Sequence, residues 1–410
     1  MLRRQFLAGS GLAFGGLAAC QQTLRTSGPA TEAARAVVPG AVEMTRQDLE
    51  DALTGSGYLS TGGGGSLAEA RDLIASDLDA GLRFYRLSVD DLGDDDIVGC
   101  PYGLGSLAPE DDALRAALAA IDPPLDNPTL ASFRLLEAHM GRPFAGVIMG
   151  EIGPLSLAEG LSIAARLGIP ALDADTVGRA VPEINQHSVR VAGVPLTPTA
   201  CVTAFGDDLI LKAVRDPDRA EVIFRTLSVA SGVVGVTDSP ISGKVAKGGG
   251  VLVRDTLSLS MAIGRAVREA KAGTADPIEA ARAVGDGYRL FEGRIEDFKW
   301  GDADGFLVGD MAIAGDGLFA GQTLTLDYKN EYLVATRDGE VIATCPDLIC
   351  LIDRETADAI INPDFERGQR VAVLGYRCDP IWRTKAGLAV FSPRYFGYDI
   401  DYRPIEARLA

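Results

Sequence analysis

From about Thr45 to Gly285 the chain alternates between two hydrophobic rhythms. Apolar positions three and four apart predict helices over about 45–54, 66–79, 109–121, 128–140, 155–167, 216–231 and 255–272. Their ends carry stop and start signals. Thr45 is placed to cap the first, and Ser66-Leu67-Ala68-Glu69 has the spacing of a capping box. Gly141 suits a left-handed cap, and Gly168 with Pro170 stops the helix before them. Between these windows, residues 84–89 alternate apolar and polar, while 97–100 and 146–149 are short apolar runs that suit buried strands. Residues 247–250 read as a loop. Helices alternating with buried strands predict a parallel or mixed sheet covered by helices.

After about Tyr288 the rhythm changes to period two. Leu324, Leu326 and Tyr328 alternate with polar residues, and Asp338-Gly339 separates two strand-like runs as a hairpin turn would. Residues 371–374 and 388–391 continue the strand pattern. The expected fold class is therefore α/β: a mixed α/β domain over 44–288, then a β-rich domain over 289–410. No repeat of solenoid length is visible.

The first twenty residues follow neither rhythm. Arg3 and Arg4 precede a mildly apolar, glycine-diluted stretch, and no acidic residue occurs before Glu32. That is a secretory signal pattern, and Arg3-Arg4-Gln5-Phe6-Leu7 resembles a twin-arginine export signal. Leu17-Ala18-Ala19-Cys20 resembles a bacterial lipobox, which makes Cys20 the expected lipidated residue. Residues 1–20 are thus read as an export signal and 21–43 as a tether. The expected location is the periplasmic side, with the membrane engaged only through an N-terminal lipid anchor.

Composition narrows the function classes. With 47% hydrophobic and 23% charged residues in 410, the chain is too apolar for a disordered protein. A formal net charge of −18 argues against nucleic acid as a partner. No apolar run reaches the roughly 20 residues of a membrane span. Cys100, Cys201, Cys345, Cys350 and Cys378 are an odd set, so buried free thiols are the default, with a Cys345–Cys350 bridge left open. A homo-oligomer is also left open.

Two clusters carry candidate chemistry. The run Thr61-Gly62-Gly63-Gly64-Gly65-Ser66 leads into a capped helix, so the amides of Gly63, Gly64 and Gly65 are candidates to hold a carboxylate, a phosphate or a developing oxyanion. It lacks both the P-loop ending and the dinucleotide spacing. The second cluster is Glu151, after an apolar strand, with Asp173 and Asp175 at another strand tip, then Arg179 and Glu183. Carboxylates at strand tips lie at the usual crevice of an α/β sheet. Arg179 is a candidate to orient a substrate or keep a carboxylate ionised. The rival readings are a flexible turn and a solvated acidic loop. His139 suits a helix C-terminus, whereas His187 is free to join a carboxylate metal site. No HExxH, CxxC or nucleophile-elbow pattern occurs.

Taken in order, the polyglycine run, Gly150-Glu151-Ile152-Gly153, the stretch 173–183, Asn330-Glu331, Pro346-Asp347-Leu348-Ile349 and Phe396-Gly397-Tyr398-Asp399 resemble the S-methyl thiohydantoin desulfurase family. The resemblance runs from about residue 45 to 403. It implies an N-terminal α/β and a C-terminal β-rich domain with a site in the cleft. It also implies a hydrolase acting on a hydantoin-type five-membered ring, in which water replaces a sulfur substituent and a thiol leaves. The export signal departs from the cytoplasmic location the resemblance implies.

The small-molecule reading that results uses Glu151, Asp173 or Asp175 to activate water, and Gly63–Gly65 amides to hold the developing charge. Arg179, Glu183, Asn330 and Glu331 would hold the substrate. Two rivals stay open: an exported solute-binding lipoprotein without catalysis, and a divalent-metal hydrolase using Asp173, Asp175, Glu183 and His187. No other cofactor is implied.

Overall fold

The computed structural model describes residues 38–105, 112–123, 125, 127–303 and 305–410. The export signal, Cys20 and most of the tether lie outside the described residues, as does part of the 109–121 window.

Nine strands build the first sheet: β1 (Val42–Met44), β2 (Phe84–Leu87), β3 (Ile97–Leu104), β4 (Gly146–Met149), β5 (Ala171–Asp175), β6 (Thr199–Thr203), β7 (Asp208–Leu211), β8 (Val234–Ser242) and β9 (Val253–Arg254). Their order is β1-β2-β5-β4-β3-β8-β6-β7, with β9 paired to β5. The centre, β2-β5-β4-β3, is parallel, and the flanks are antiparallel. Seven further strands form an antiparallel sheet: β10 (Tyr288–Ala303), β11 (Phe306–Gly315), β12 (Thr323–Lys329), β13 (Glu331–Arg337), β14 (Glu340–Thr344), β15 (Leu348–Asp353) and β16 (Arg370–Tyr376). Its order is β14-β13-β12-β11-β10-β16-β15, curled so that β13 and β15 approach each other. The fold is thus a mixed α/β layer joined to a β-rich one.

Local chemistry explains most element ends. Thr45 accepts from the Asp48 amide, and the Asp48 carboxylate accepts from the Thr45 amide, a reciprocal capping box. Gly141 and Gly168 end their helices at φ of 69° and 66°. Asp338 and Gly339 both take positive φ, at 50° and 87°, closing the β13–β14 hairpin as a primed turn requires.

Three expectations are corrected. The first helix runs from Arg46 to Leu59, well past residue 54. Its glycines are the contact surface: a Cβ on Gly55 would lie 1.8 Å from the Ser260 carbonyl oxygen. One on Gly264, in the helix Thr256–Ala272, would lie 1.9 Å from that of Asp51. Close helix crossing offsets the entropy cost of those glycines. The strand begun at 97 continues to Leu104 through Pro101, which stands opposite Thr237 on β8 beyond a register shift between Val98 and Cys100. Residues 388–390 belong to a helix, Lys385–Val390, capped by Thr384 and ended by Phe391, and not to a strand. A short apolar run does not distinguish the two.

The described residues form one compact unit. A continuous core runs from Leu53 and Leu157 under the first sheet to Leu333, Leu348 and Trp382 beneath the second. Hydrogen bonds cross between the layers: Tyr58 hydroxyl to Ala357 carbonyl at 2.7 Å, Tyr332 amide to Thr61 carbonyl at 2.8 Å, and Trp382 indole to Val177 carbonyl at 2.7 Å. Among the described residues no helix is long and apolar enough to cross a membrane. All five described cysteines are free and buried.

Candidate active site between the two sheets

The polyglycine run turns sharply because Thr61, Gly62, Gly64 and Gly65 take φ of 56°, 87°, 73° and 75°. It also lies against backbone where no side chain fits. A Cβ on Gly64 would stand 2.3 Å from Gly153 Cα. The Gly64 carbonyl accepts from the Leu155 and Ser156 amides, so this loop satisfies the first turn of the helix Pro154–Leu167. The Gly63 amide is spent on the Ser60 carbonyl at 3.0 Å. The amides of Gly64 and Gly65 have no acceptor among the described residues. Of the three predicted donors, two are therefore free.

A cavity of about 610 Å³ opens beside this loop. Its walls include residues 62–66, residues 101–105 at the end of β3, Gly150 and Glu151 beyond β4, Glu159, residues 181–184, His187, Arg225, and, from the second layer, Asn330, Glu331 and residues 361–364. It thus sits outside the carboxyl ends of two parallel strands, with the second sheet closing the other side.

The carboxyl groups in these walls have different surroundings. Glu151 is raised by burial, but it accepts from the Ser156 hydroxyl at 2.7 Å and the Val181 amide at 2.8 Å, both of which favour its ionised form. Glu331 is raised well above the usual carboxylate range by burial and then by Glu151, and its Oε2 is buried without a partner. Glu159 is pushed up to about 7, chiefly by burial, with Glu151 and Glu69 adding to the rise and the Gly103 amide opposing it. Glu183 is held by the Lys329 ammonium and by the Tyr395 hydroxyl at 2.5 Å. Asn330, at φ 57°, spends its side-chain oxygen on the Leu307 amide and its carbonyl on Asn362.

The other predicted residues lie elsewhere. Asp173 and Asp175 share a face of β5, but that face meets the start of the helix Thr256–Ala272. Asp173 accepts from the Ser258 amide at 2.9 Å and pairs with Arg86 at 3.3 Å. Asp175 is fully buried and takes the Val177 and Gly178 amides on Oδ2, leaving Oδ1 unpartnered; burial lifts it to about 8. Arg179 is also outside the cavity wall. It is buried and donates to the carbonyls of Ala180, Pro346 and Asp347 and to the Thr61 hydroxyl, at 2.7–3.0 Å. Its ring partner is Phe391, 4.9 Å away. Arg179 is a clamp joining the glycine loop to the second layer, and its donors are spent.

Asp173, Asp175, Glu183 and His187 do not gather as a ligand set. Among the described residues, the His, Cys, Asp and Glu side chains close enough to share an ion are Cys100, His187 and Asp238. Sequence reasoning also passed over Glu159 and Tyr102. Glu159 carried a signal, since it lies in the helix that follows Glu151; Asp238 carried none, because its partner strand is remote in sequence.

The arrangement defines an acid-lined cavity shared by an α/β layer and an antiparallel sheet. Two family models match the chain in succession: S-Me-THD-like, N-terminal domain, over residues 47–213, and S-Me-THD-like, C-terminal domain, over 215–405. The chain belongs to this S-methyl thiohydantoin desulfurase-like family, whose name points to thiohydantoin-related chemistry. The models divide the chain within the first sheet, so β8 and β9 fall in the C-terminal match, whereas the change of sheet comes at β10. The structure is similar to the crystal structure of a protein from Chromobacterium violaceum, at 25% identity and a TM-score of 0.68, covering 89% of this chain and 100% of that one. No curated protein matches the chain.

Proposed function

We propose that this cavity hydrolyses a thiohydantoin-type ring, replacing a sulfur substituent by water. Glu151 supports the role of general base: two donors hold it toward its ionised form at the cavity wall. It takes a proton from water as the oxygen adds to the ring carbon bearing sulfur. The electron pair displaced onto the ring meets the free amides of Gly64 and Gly65. Glu331, whose burial favours the protonated form, supplies the proton with which the sulfur leaves as a thiol. Water and substrate thus give hydantoin and thiol, and the two carboxyl groups exchange protons to reset.

The observation that carries this reading is the presence, in one cavity, of two buried glutamates from different layers, Glu151 held by two donors and Glu331 with its Oε2 unpartnered. The test is thiol release from an S-methyl thiohydantoin by the purified protein. Turnover should fall by at least about 100-fold in Glu151→Gln and Glu331→Gln. Turnover unchanged in both removes the mechanism. Binding without thiol release would instead favour an exported solute-binding protein. Export and lipidation at Cys20 belong to the same proposal, and replacing Cys20 should release the protein from the membrane fraction.

A further inference from the structure

At the floor of the cavity, behind Tyr102, three side chains with metal-binding atoms converge. Cys100 on β3 and Asp238 on β8 are direct cross-strand partners, so their side chains stand on the same face of the sheet. His187, from the turn before the short helix Ser188–Val191, closes the group. One ligand atom from each residue lies within 4.8 Å of the other two.

None of the three behaves as a satisfied structural polar group. Asp238 Oδ1 is buried without a hydrogen-bond partner, though the Tyr102 hydroxyl donates to Oδ2 at 2.8 Å. No hydrogen bond reaches either ring nitrogen of His187 or the thiol of Cys100 among the described residues. Asp238 has no Arg or Lys counter-charge. Buried polar atoms are ordinarily paired, and an orphan at such a site calls for a missing partner. Backbone geometry is spent on the arrangement as well. The β3–β8 pairing shifts register between Val98 and Cys100, and Ser239, next to Asp238, sits at φ 47°. Bulges of this kind re-aim side chains.

We propose that Cys100, His187 and Asp238 bind a zinc-type transition-metal ion, with a further coordination position open toward the cavity. Thiolate, imidazole and carboxylate are the donor set that suits Zn²⁺. Thiolate and carboxylate together balance the dication, so the buried complex is neutral. Three protein ligands leave a tetrahedral ion one site short, as in sites that hold water or substrate. Of the three residues only His187 lines the cavity, which places the open position there. Tyr102, bonded to the ligand carboxylate, is the outer partner that fixes its orientation. A cysteine nucleophile is the less favoured use of the same residues, because Cys100 is fully buried and outside the cavity wall.

The site is independent of the ring-hydrolysis reading, since metal binding is measured without substrate. The full-length protein is dialysed against chelator, reloaded with Zn²⁺ alone, and its metal content measured. About one tightly held ion per chain is expected, with a zinc absorption-edge spectrum showing one sulfur at about 2.3 Å and nitrogen or oxygen at about 2.0–2.2 Å. Cys100→Ser and Asp238→Asn should lose the ion, Cys378→Ser should keep it, and Tyr102→Phe should weaken binding about 10–100-fold. Less than stoichiometric zinc after loading, or a shell without sulfur, overturns the proposal. Should Cys100→Ser fail to fold, the wild-type spectrum alone decides.

Discussion

Gly63 and Glu331 meet with no room between them: a Cβ on Gly63 would stand 1.8 Å from Glu331 Oε1 and 2.6 Å from its Cδ. The polyglycine loop and the second sheet are therefore fitted to each other at one atom. Glu331 is 3% exposed and has little space to move aside. Gly63→Ala should destabilise the fold by about 1–3 kcal/mol through overpacking. Gly63→Ala with Glu331→Ala should recover part of that loss, since the pair shares one volume. Denaturant midpoints of the two single variants and the double variant check this. Strict additivity would mean the two residues do not touch.

Arg179 yields the second prediction. Its guanidinium reaches five acceptors on four segments and no cavity-lining group. Arg179→Lys loses the planar fork and leaves buried carbonyls unpaired. Unfolding free energy should fall by more than about 3 kcal/mol. The loss should be in stability, measured by urea unfolding, with ligand affinity retained at temperatures where the variant is folded.

The contrast between these residues explains how far the chain could be read from its sequence. Features fixed by neighbours in sequence were legible: the Thr45 cap, the Gly141 cap and the Asp338-Gly339 turn. The glycine loop and Glu151 were legible as well, because a loop before a capped helix and an acid beyond a strand follow from local order. Asp173 and Asp175 show the limit. Alternation puts them on one face of β5 but does not say which element that face meets, and the helix Thr256–Ala272 takes it. Arg179 fails for the same reason, since its partners Pro346 and Asp347 arrive from the second layer. The Cys100–Asp238 pairing depends on strand register, which nothing near either residue announces.

Glu159 sets a pH dependence for ligand binding. With its carboxyl raised to about 7, the cavity gains a negative charge as pH rises through neutrality. An anionic ligand should bind more weakly above that point and a neutral one much less so. A plot of log Kd against pH should bend near 7 in the wild type and lose that bend in Glu159→Gln. Calorimetric titrations at several pH values would show it. A bend that persists in the variant assigns the effect to another group.

Stability should depend on pH in a direction set by the buried acids. Burial raises Asp175 to about 8 and Glu159 to about 7, so over the window from about 4 to about 8 the folded state holds protons that the unfolded chain has released. Stability therefore falls as pH rises across that window, and the contribution of these groups is complete only below it. Glu279 and Glu406 act oppositely. Arg282 and Arg383 hold them below the ordinary glutamate range, so their contribution is lost as pH falls through their lowered values. A thermal midpoint that is highest near about pH 4–5 and declines toward about pH 9 is the expected profile. Asp175→Asn should flatten the decline. The amide oxygen can still accept from Val177 and Gly178, while the amide nitrogen takes the place of the unpartnered Oδ1. Above about pH 8 the variant should be the more stable protein, by up to several kcal/mol, at about 1.4 kcal/mol for every tenfold by which burial weakens the acid. Equal midpoints for the two proteins at about pH 9 would show that Asp175 is ionised without cost in the fold.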